Sequence, residues 1–236
     1  MILAIFDLDN TLLAGDSDYE WGRFLADCGV VETAFYEREN RRFYAQYQAG
    51  TLDIYEFLRF AYKPLADNPL TALLRWREIF LEERIRPLIL PKGRELIHQH
   101  RAEGHVPVII TSTNRFVTEP IAHALEVEHL IASEPEFRNG CYTGELTGIP
   151  CFREGKVERL EAWLKEHGCD LDESWFYSDS HNDIPLLERV SYPVAVDADE
   201  KLTQHACERG WPMISLRDGR AKAHSKLAQD ALQREH

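Results

Sequence analysis

The 236 residues suffice for one good-sized domain, or for a core with a smaller insertion, and 44% hydrophobic content can fill a packed interior. A formal charge of −13 argues against nucleic acid and anionic membrane surfaces as partners. Five cysteines, an odd number with no CxxC pair, argue against a disulfide framework or a zinc site. With no targeting pattern and no apolar run near the ~20 residues of a membrane span, the reading is a soluble, cytoplasmic protein.

In chain order, residues 2–6 read as a short strand, apolar on both faces and so buried on both. Residues from about Asp18 to Arg84 read as four helices. Trp21, Phe24 and Leu25, and later Leu73, Trp76 and Phe80, fall at helical spacing, while Gly29, Gly50 and Asp67-Asn68-Pro69 punctuate the run. After Arg86-Pro87 the pattern changes. A helix is predicted at 91–104, a strand at 106–111, a helix at 116–125 and a short strand at 130–132. A hairpin at 134–148 turns at Asn139-Gly140. Then come a helix at 154–167, a strand at 175–178, a helix at 182–189, a strand at 193–196, a helix near 200–208 and a strand near 213–216. Strands alternating with helices predict an α/β fold, a parallel sheet covered on both faces. The helical stretch is then an insertion after the first strand. The expected division is a core of 1–15 and 87–216, an insertion of 16–86, and a polar tail of 217–236 forming a surface helix or partly disordered.

Sites in open parallel sheets form at the carboxyl ends of the strands. Asp7 and Asp9 lie there in Asp7-Leu8-Asp9-Asn10-Thr11. Such paired carboxylates repel unless they share a proton or a cation, and Mg²⁺ takes a few carboxylates plus waters and phosphate oxygens. A carboxylate held this way can attack phosphorus, and a neighbouring acid can protonate the leaving alkoxide and later activate water. Ser112, with Thr113 beside it, follows the second strand, where hydroxyl and backbone N–H groups can hold phosphate oxygens. Lys156 opens a helix, where the dipole disfavours a cation, so a local anion is expected. Asp179, Asn182 and Asp183 stand in a polar run suited to wrapping a metal. Taken singly, each of these groups is as well explained by a helix cap, a loop acid or a surface lysine. Their order and spacing point to one site.

That four-part pattern resembles the haloacid dehalogenase superfamily. Asp7-Leu8-Asp9-Asn10-Thr11 matches its DxDxT/V motif, Ile109-Ile110-Thr111-Ser112 its second motif, Lys156 its third, and Ser178 to Asp183 its acidic fourth. The helical insertion is similar to the cap of the phosphoserine-phosphatase-like branch, and Leu12 to Asp18 resembles bacterial histidinol-phosphatases of that branch. The resemblance implies a Rossmann-like core with an all-helical cap and a Mg²⁺-dependent phosphatase acting on a small phosphate ester. Asp7 is then nucleophile and metal ligand. Asp9 is general acid/base and gives the metal its backbone carbonyl. Asp179 is the third ligand. Lys156 neutralises Asp7 and the phosphoryl group, binding phosphate with Ser112 and Thr113. Asn182 and Asp183 support the metal and Lys156. The glycines that follow the second-motif serine in phosphoserine phosphatases are Thr113 and Asn114 here, so Asn114 and Arg115 become candidates for substrate contact.

Asp16 stands where phosphoserine phosphatases carry a Glu that binds the substrate ammonium. It is thus a candidate for an amino-bearing substrate such as histidinol phosphate, and equally a helix N-cap. Trp21 and Tyr44 could stack on a substrate ring, although aromatics at helical spacing are mostly core. Alternatives are a phosphatase for phosphoserine or another small metabolite, and a receiver-like or silent phosphate-binding module. His181 reads as an exposed loop residue without a role. The oligomeric state is not legible.

Overall fold

Strand β1 (Leu3–Phe6) divides its side chains between two apolar layers. Leu3 and Ile5 enter one hydrophobic cluster, while Ala4 and Phe6 enter the other. This is what a strand buried on both faces requires. In the computed structural model, which describes residues 1–217, β1 lies at the centre of a seven-stranded sheet. The order is β4-β3-β2-β1-β5-β6-β7, with β2 (Val106–Asn114), β3 (His129–Arg138), β4 (Cys141–Thr147), β5 (Trp175–Ser178), β6 (Tyr192–Val196) and β7 (Met213–Ile214). All neighbours pair parallel except β3 and β4, the hairpin turning at Asn139-Gly140 with both residues at positive φ.

The helices cover both faces. Leu160 and Leu164 of α7 (Glu154–His167), Leu186 of α8 (Ile184–Leu187) and Leu202 of α9 (Glu200–Arg209) pack with Leu3, Ile5 and Phe176. Ile97 of α5 (Pro91–Ala102) and Phe116 and Ile121 of α6 (Arg115–Ala124) pack on the opposite side with Phe6 and Ile109.

The insertion is all helical: α1 (Ser17–Asp27), α2 (Thr33–Ala49), α3 (Ile54–Asp67) and α4 (Leu70–Phe80), followed by a short π-helical turn and a 3₁₀ turn to Leu88. Asp16, Glu32 and Asp53 cap the first three, each accepting backbone N–H bonds with its carboxylate. The chain leaves and re-enters the core side by side. Leu13 bridges Ile89, Ala14 N–H donates to Leu88 O at 2.7 Å, and Leu90 N–H donates to Leu12 O at 3.0 Å.

Several elements differ from the sequence reading. Strand β2 continues to Asn114 through an irregularity after Ile110, so Ser112 and Thr113 lie within its bent end, not in a following turn. Strand β3 runs unbroken from the parallel sheet into the hairpin. The helix expected at 182–189 is a 3₁₀ turn (His181–Asp183) and the short α8, because Pro185 marks a fresh helix start. The last strand stops at Ile214. Of the expected tail, 218–236 lie outside the described residues. Arg217, counted with the tail, reaches back to the first loop, donating to Asn10 O at 3.2 Å. No helix among the described residues is long and apolar enough to cross a membrane.

Candidate active site

Asp7 follows β1 directly and is 6% exposed. Lys156 Nζ lies 2.8 Å from Asp7 Oδ1 and 2.8 Å from the Asp183 carboxylate, so one buried cation joins two buried acids. These are the local anions that a lysine in the first turn of α7 demands. Ser178 donates to Asp183 Oδ2 at 2.7 Å and completes that end. At the other end the Thr11 hydroxyl stands 3.4 Å from Asp7 Oδ2 and 3.3 Å from Asp179 Oδ1, and it accepts the Asp179 N–H at 3.1 Å. Burial pushes the Asp7 carboxyl up to about 7. Lys156 opposes this, and the charges of Asp183 and Asp9 add to it. Asp179 is driven well above the usual carboxylate range, first by burial and then by the charge of Asp7.

The Asp9 carboxylate has a different set of partners. Oδ1 accepts the N–H of Ser17, the first residue of α1, at 2.6 Å, and Oδ2 accepts the Thr113 hydroxyl at 2.8 Å. Burial and the charge of Asp16 raise its pKa to about 6, against these hydrogen bonds. Thr113, expected at the phosphate, gives its single hydroxyl proton to Asp9 in this structure. Ser112 lines the cavity.

Gly155 lets Lys156 come so close. A Cβ there would stand 2.1 Å from Pro150 O, which is backbone and cannot swing away. Arg153, at φ +50°, donates from Nε to Asn182 Oδ1 at 2.9 Å and from Nη2 to Gly50 O at 2.7 Å. Ser180 Oγ accepts the Tyr47 hydroxyl at 2.8 Å. Tyr47 and Gly50 belong to the end of α2, so the acidic loop and the insertion are joined. His181 is not a free loop residue: its Nδ1 lies 2.7 Å from Asp199 Oδ2, which also accepts its backbone N–H, and its Nε2 is buried.

A cavity of about 1110 Å³ opens above these groups, between core and insertion. Asp7, Asp9, Asp179, Ser112 and Lys156 lie along it, as do Asp16 and Asp18, with Tyr19, Tyr44 and Tyr47 from the helices. Asp16 Oδ1 accepts the N–H of Asp18 and of Tyr19, so it is the N-cap of α1 while also lining the cavity. Burial raises the pKa of Asp16, and that of Asp18 well above the usual range, with Asp16 and Asp9 adding to the latter. Trp21 is core instead of a cavity wall: it is 2% exposed and packs on Phe24, Phe80 and Phe116. Arg115 bonds Glu134 and Leu130 O, Asn114 Oδ1 caps α6 while its Nδ2 lies 3.4 Å from Asp18 Oδ1, and the cavity lining includes neither residue.

Sequence reasoning placed Thr113 at the phosphate and not at Asp9, and it had no handle on Tyr47, Arg153 or Asp199 as site neighbours. Asp18, an acid two places after Asp16, carried a usable signal.

The donors between Asp7 and Asp179 are all oxygen, with Asp7 buried and Asp179 partly so. A divalent cation fits such a set, and its charge would offset the burial and neighbouring negative charge that raise both acids. The described cysteines are all free thiols and take no part.

The chain is similar to known proteins in sequence and in fold. The haloacid dehalogenase-like hydrolase family matches residues 4–188. A histidinol-phosphatase of Neisseria meningitidis serogroup C is 42% identical over 219 residues, covering 91% of this chain and 99% of its own length. A phosphoserine phosphatase of Mycobacterium tuberculosis is 31% identical over 227 residues, covering 93% and 72%. A Bordetella pertussis protein of unknown function superposes with a TM-score of 0.86 at 43% identity, covering 91% and 98%. A substrate-bound phosphoserine phosphatase shares the fold, with a TM-score of 0.67 at 20% identity over 92% and 93% of the two chains. A family match spanning all four acid, hydroxyl and lysine segments, on a sheet that gathers them at one end, makes this chain a hydrolase of the haloacid dehalogenase-like family.

Proposed function

We propose that the chain is a Mg²⁺-dependent phosphomonoesterase that works through an aspartyl-phosphate on Asp7. Its substrate is a small amino-bearing phosphate ester such as histidinol phosphate. The carrying observation is the division of labour between two acids. Asp7 is gripped by Lys156 beside Asp179, while Asp9 is held apart by Ser17 N–H and Thr113.

In this reading Asp7 attacks phosphorus as the ester P–O bond breaks, and protonated Asp9 gives its proton to the leaving alkoxide. Asp9, now ionised, takes a proton from water, whose oxygen attacks phosphorus and frees Asp7 and inorganic phosphate. Lys156 and Ser112 hold phosphoryl oxygens, Asp183 and Asn182 support Lys156 and the loop, and Thr113 aims Asp9. Asp7, Asp179 and the Asp9 carbonyl would hold Mg²⁺, which supplies charge neutralisation between carboxylate and phosphoryl group. Residues 16–86 act as a cap on a core of 1–15 and 87–216, closing over the leaving group.

The wall formed by Asp9, Asp16 and Asp18 favours a cationic leaving group over one bearing a carboxylate, which distinguishes histidinol phosphate from phosphoserine. Tyr19 and Tyr44 offer faces for a planar ring. The test is turnover of histidinol phosphate and phosphoserine with and without Mg²⁺. The expected result is metal-dependent hydrolysis with histidinol phosphate preferred, and loss of turnover in Asp7→Asn. Undiminished turnover in that variant would overturn the covalent reading.

A further inference from the structure

Remote from the cavity, the turn between α5 and β2 gathers two imidazoles and a carboxylate. The four residues after His100 end α5 and bring the chain back. Gly104 sits at φ +82°, His105 N–H donates to His100 O at 3.0 Å, and Gly104 N–H donates to Arg101 O at 3.0 Å. This helix-ending turn fixes His100 and His105 beside each other through the backbone. Their Nδ1 atoms face at 2.9 Å, and Glu103 Oε2 lies 3.6 Å from His105 Nδ1. The ligand atoms of all three lie within 4.8 Å of one another.

Both rings are held in orientation. His100 Nε2 meets the Tyr177 hydroxyl at 2.8 Å, and His100 is 6% exposed. His105 stacks on Trp175, with centroids 4.7 Å apart and planes at 22°. Two nitrogen lone pairs cannot face at this distance without a proton or a cation between them. Burial lowers the basicity of His100, which favours the neutral imidazole. If Nε2–H donates to Tyr177, the Nδ1 lone pair of His100 points at His105, as in metal-bound histidines whose second nitrogen is tied to a neighbour.

We propose that His100, Glu103 and His105 form a binding site for a borderline divalent metal ion such as Zn²⁺, separate from the catalytic carboxylates. Two nitrogens and one carboxylate suit Zn²⁺ and are a poor set for Mg²⁺. Seating the ion needs the two Nδ1 atoms to part from 2.9 Å to about 3.3 Å, the spacing of two ligands at about 2.05 Å in a tetrahedron. A small ring rotation provides this. Glu103, exposed at 66% of its side chain, is free to swing in. The cysteine pattern argued against zinc, but here the donors are histidines on either side of a helix-ending turn, which cysteine spacing cannot reveal. The site lies against the back of the catalytic strand: His100 packs edge-on to Phe6, whose next residue is Asp7.

The test is Zn²⁺ titration of the full-length protein by calorimetry in excess Mg²⁺, with Co²⁺ visible absorption as a reporter of nitrogen ligation. Both are run in the wild type and in Asp179→Asn, which disables the carboxylate site. One ion per chain should bind with a tetrahedral Co²⁺ spectrum in both proteins. His105→Gln and the surface variant Glu103→Gln should lose or sharply weaken it. Tyr177→Phe, which keeps the ring, should weaken it about 10- to 100-fold. The proposal is overturned if Asp179→Asn binds no Zn²⁺, or if His105→Gln and Glu103→Gln bind it as the wild type does.

Discussion

At the scale of single residues, Asp16 has two duties, and a charge-only change separates them. Asp16→Asn keeps a side-chain oxygen for the Asp18 and Tyr19 N–H groups but removes the charge facing the cavity. Steady-state kinetics should show KM for histidinol phosphate rising about tenfold, roughly 1.4 kcal/mol. KM for an aryl phosphate without an amine should barely move. An unchanged ratio would remove the amine-binding role. Gly155 has one duty, close approach. Gly155→Ala would force the start of α7 away from Pro150 O and carry Lys156 with it. A misplacement of about 1 Å at a reacting centre costs on the order of 10²-fold, so kcat should fall by about that factor while the thermal transition stays cooperative. Asp7, Lys156 and Asp179 were visible in sequence because each adjoins a well-marked strand or helix start. Thr113 was not read as a partner of Asp9, nor Asp199 as a partner of His181, because nothing local tells a hydroxyl or an acid which distant loop it will meet. For Trp21 the sequence offered both a ring-stacking role and a core role, and the core role holds. Helical spacing marks a buried face without saying what it faces, and here that is Phe80 and Phe116.

At the scale of elements, the four insertion helices are attached unequally. Residues of α1, α3 and α4 enter the apolar cluster that also holds Phe6 and Phe116, whereas the buried Tyr36 and Phe43 of α2 lie outside it. Helix α2 meets the core through polar contacts at its end: Tyr47 to Ser180, Arg153 to Gly50 O, and Lys201 Nζ at 3.3 Å from Gln48 O and from Ala49 O. Such bonds contribute about 1 kcal/mol each and are readily exchanged for water. Arg153→Ala combined with Tyr47→Phe should therefore speed amide exchange in α2 more than in α1 or α4, and should raise KM. Uniform acceleration across all four helices would show the insertion moving as one body. The bounds of α7 and β5 could be read directly from sequence, because apolar periodicity and flanking polar turns agree there. The end of β2 could not, since Thr111 to Asn114 is polar and keeps its extended shape through contacts with Asp9 and α6.

At the scale of the whole molecule, several acids line one cavity, and these set the pH response. Asp7 and Asp9 titrate near 7 and 6 in the fold, against 3.8 in the unfolded chain. Between those values the folded state holds more protons than the unfolded state. The stability of metal-free protein therefore falls as pH rises through that window. Thermal melts in chelator should show Tm declining from about pH 5 to pH 7.5, with a shallower decline in Asp7→Asn. Added Mg²⁺ should raise Tm more at the upper pH than at the lower. A chelated protein whose Tm rose across this range would contradict the charge arrangement described. The strand that carries Asp7 has a further consequence, for how the chain acquires its shape. It is synthesised before both of its sheet neighbours, since β2 and β5 begin roughly 100 and 170 residues later. During translation the helices of the insertion can form from local contacts while the central strand waits unpaired. The chain must emerge through β5 before Asp7 and Asp179 can stand beside each other, so the site cannot assemble while the insertion is still being made.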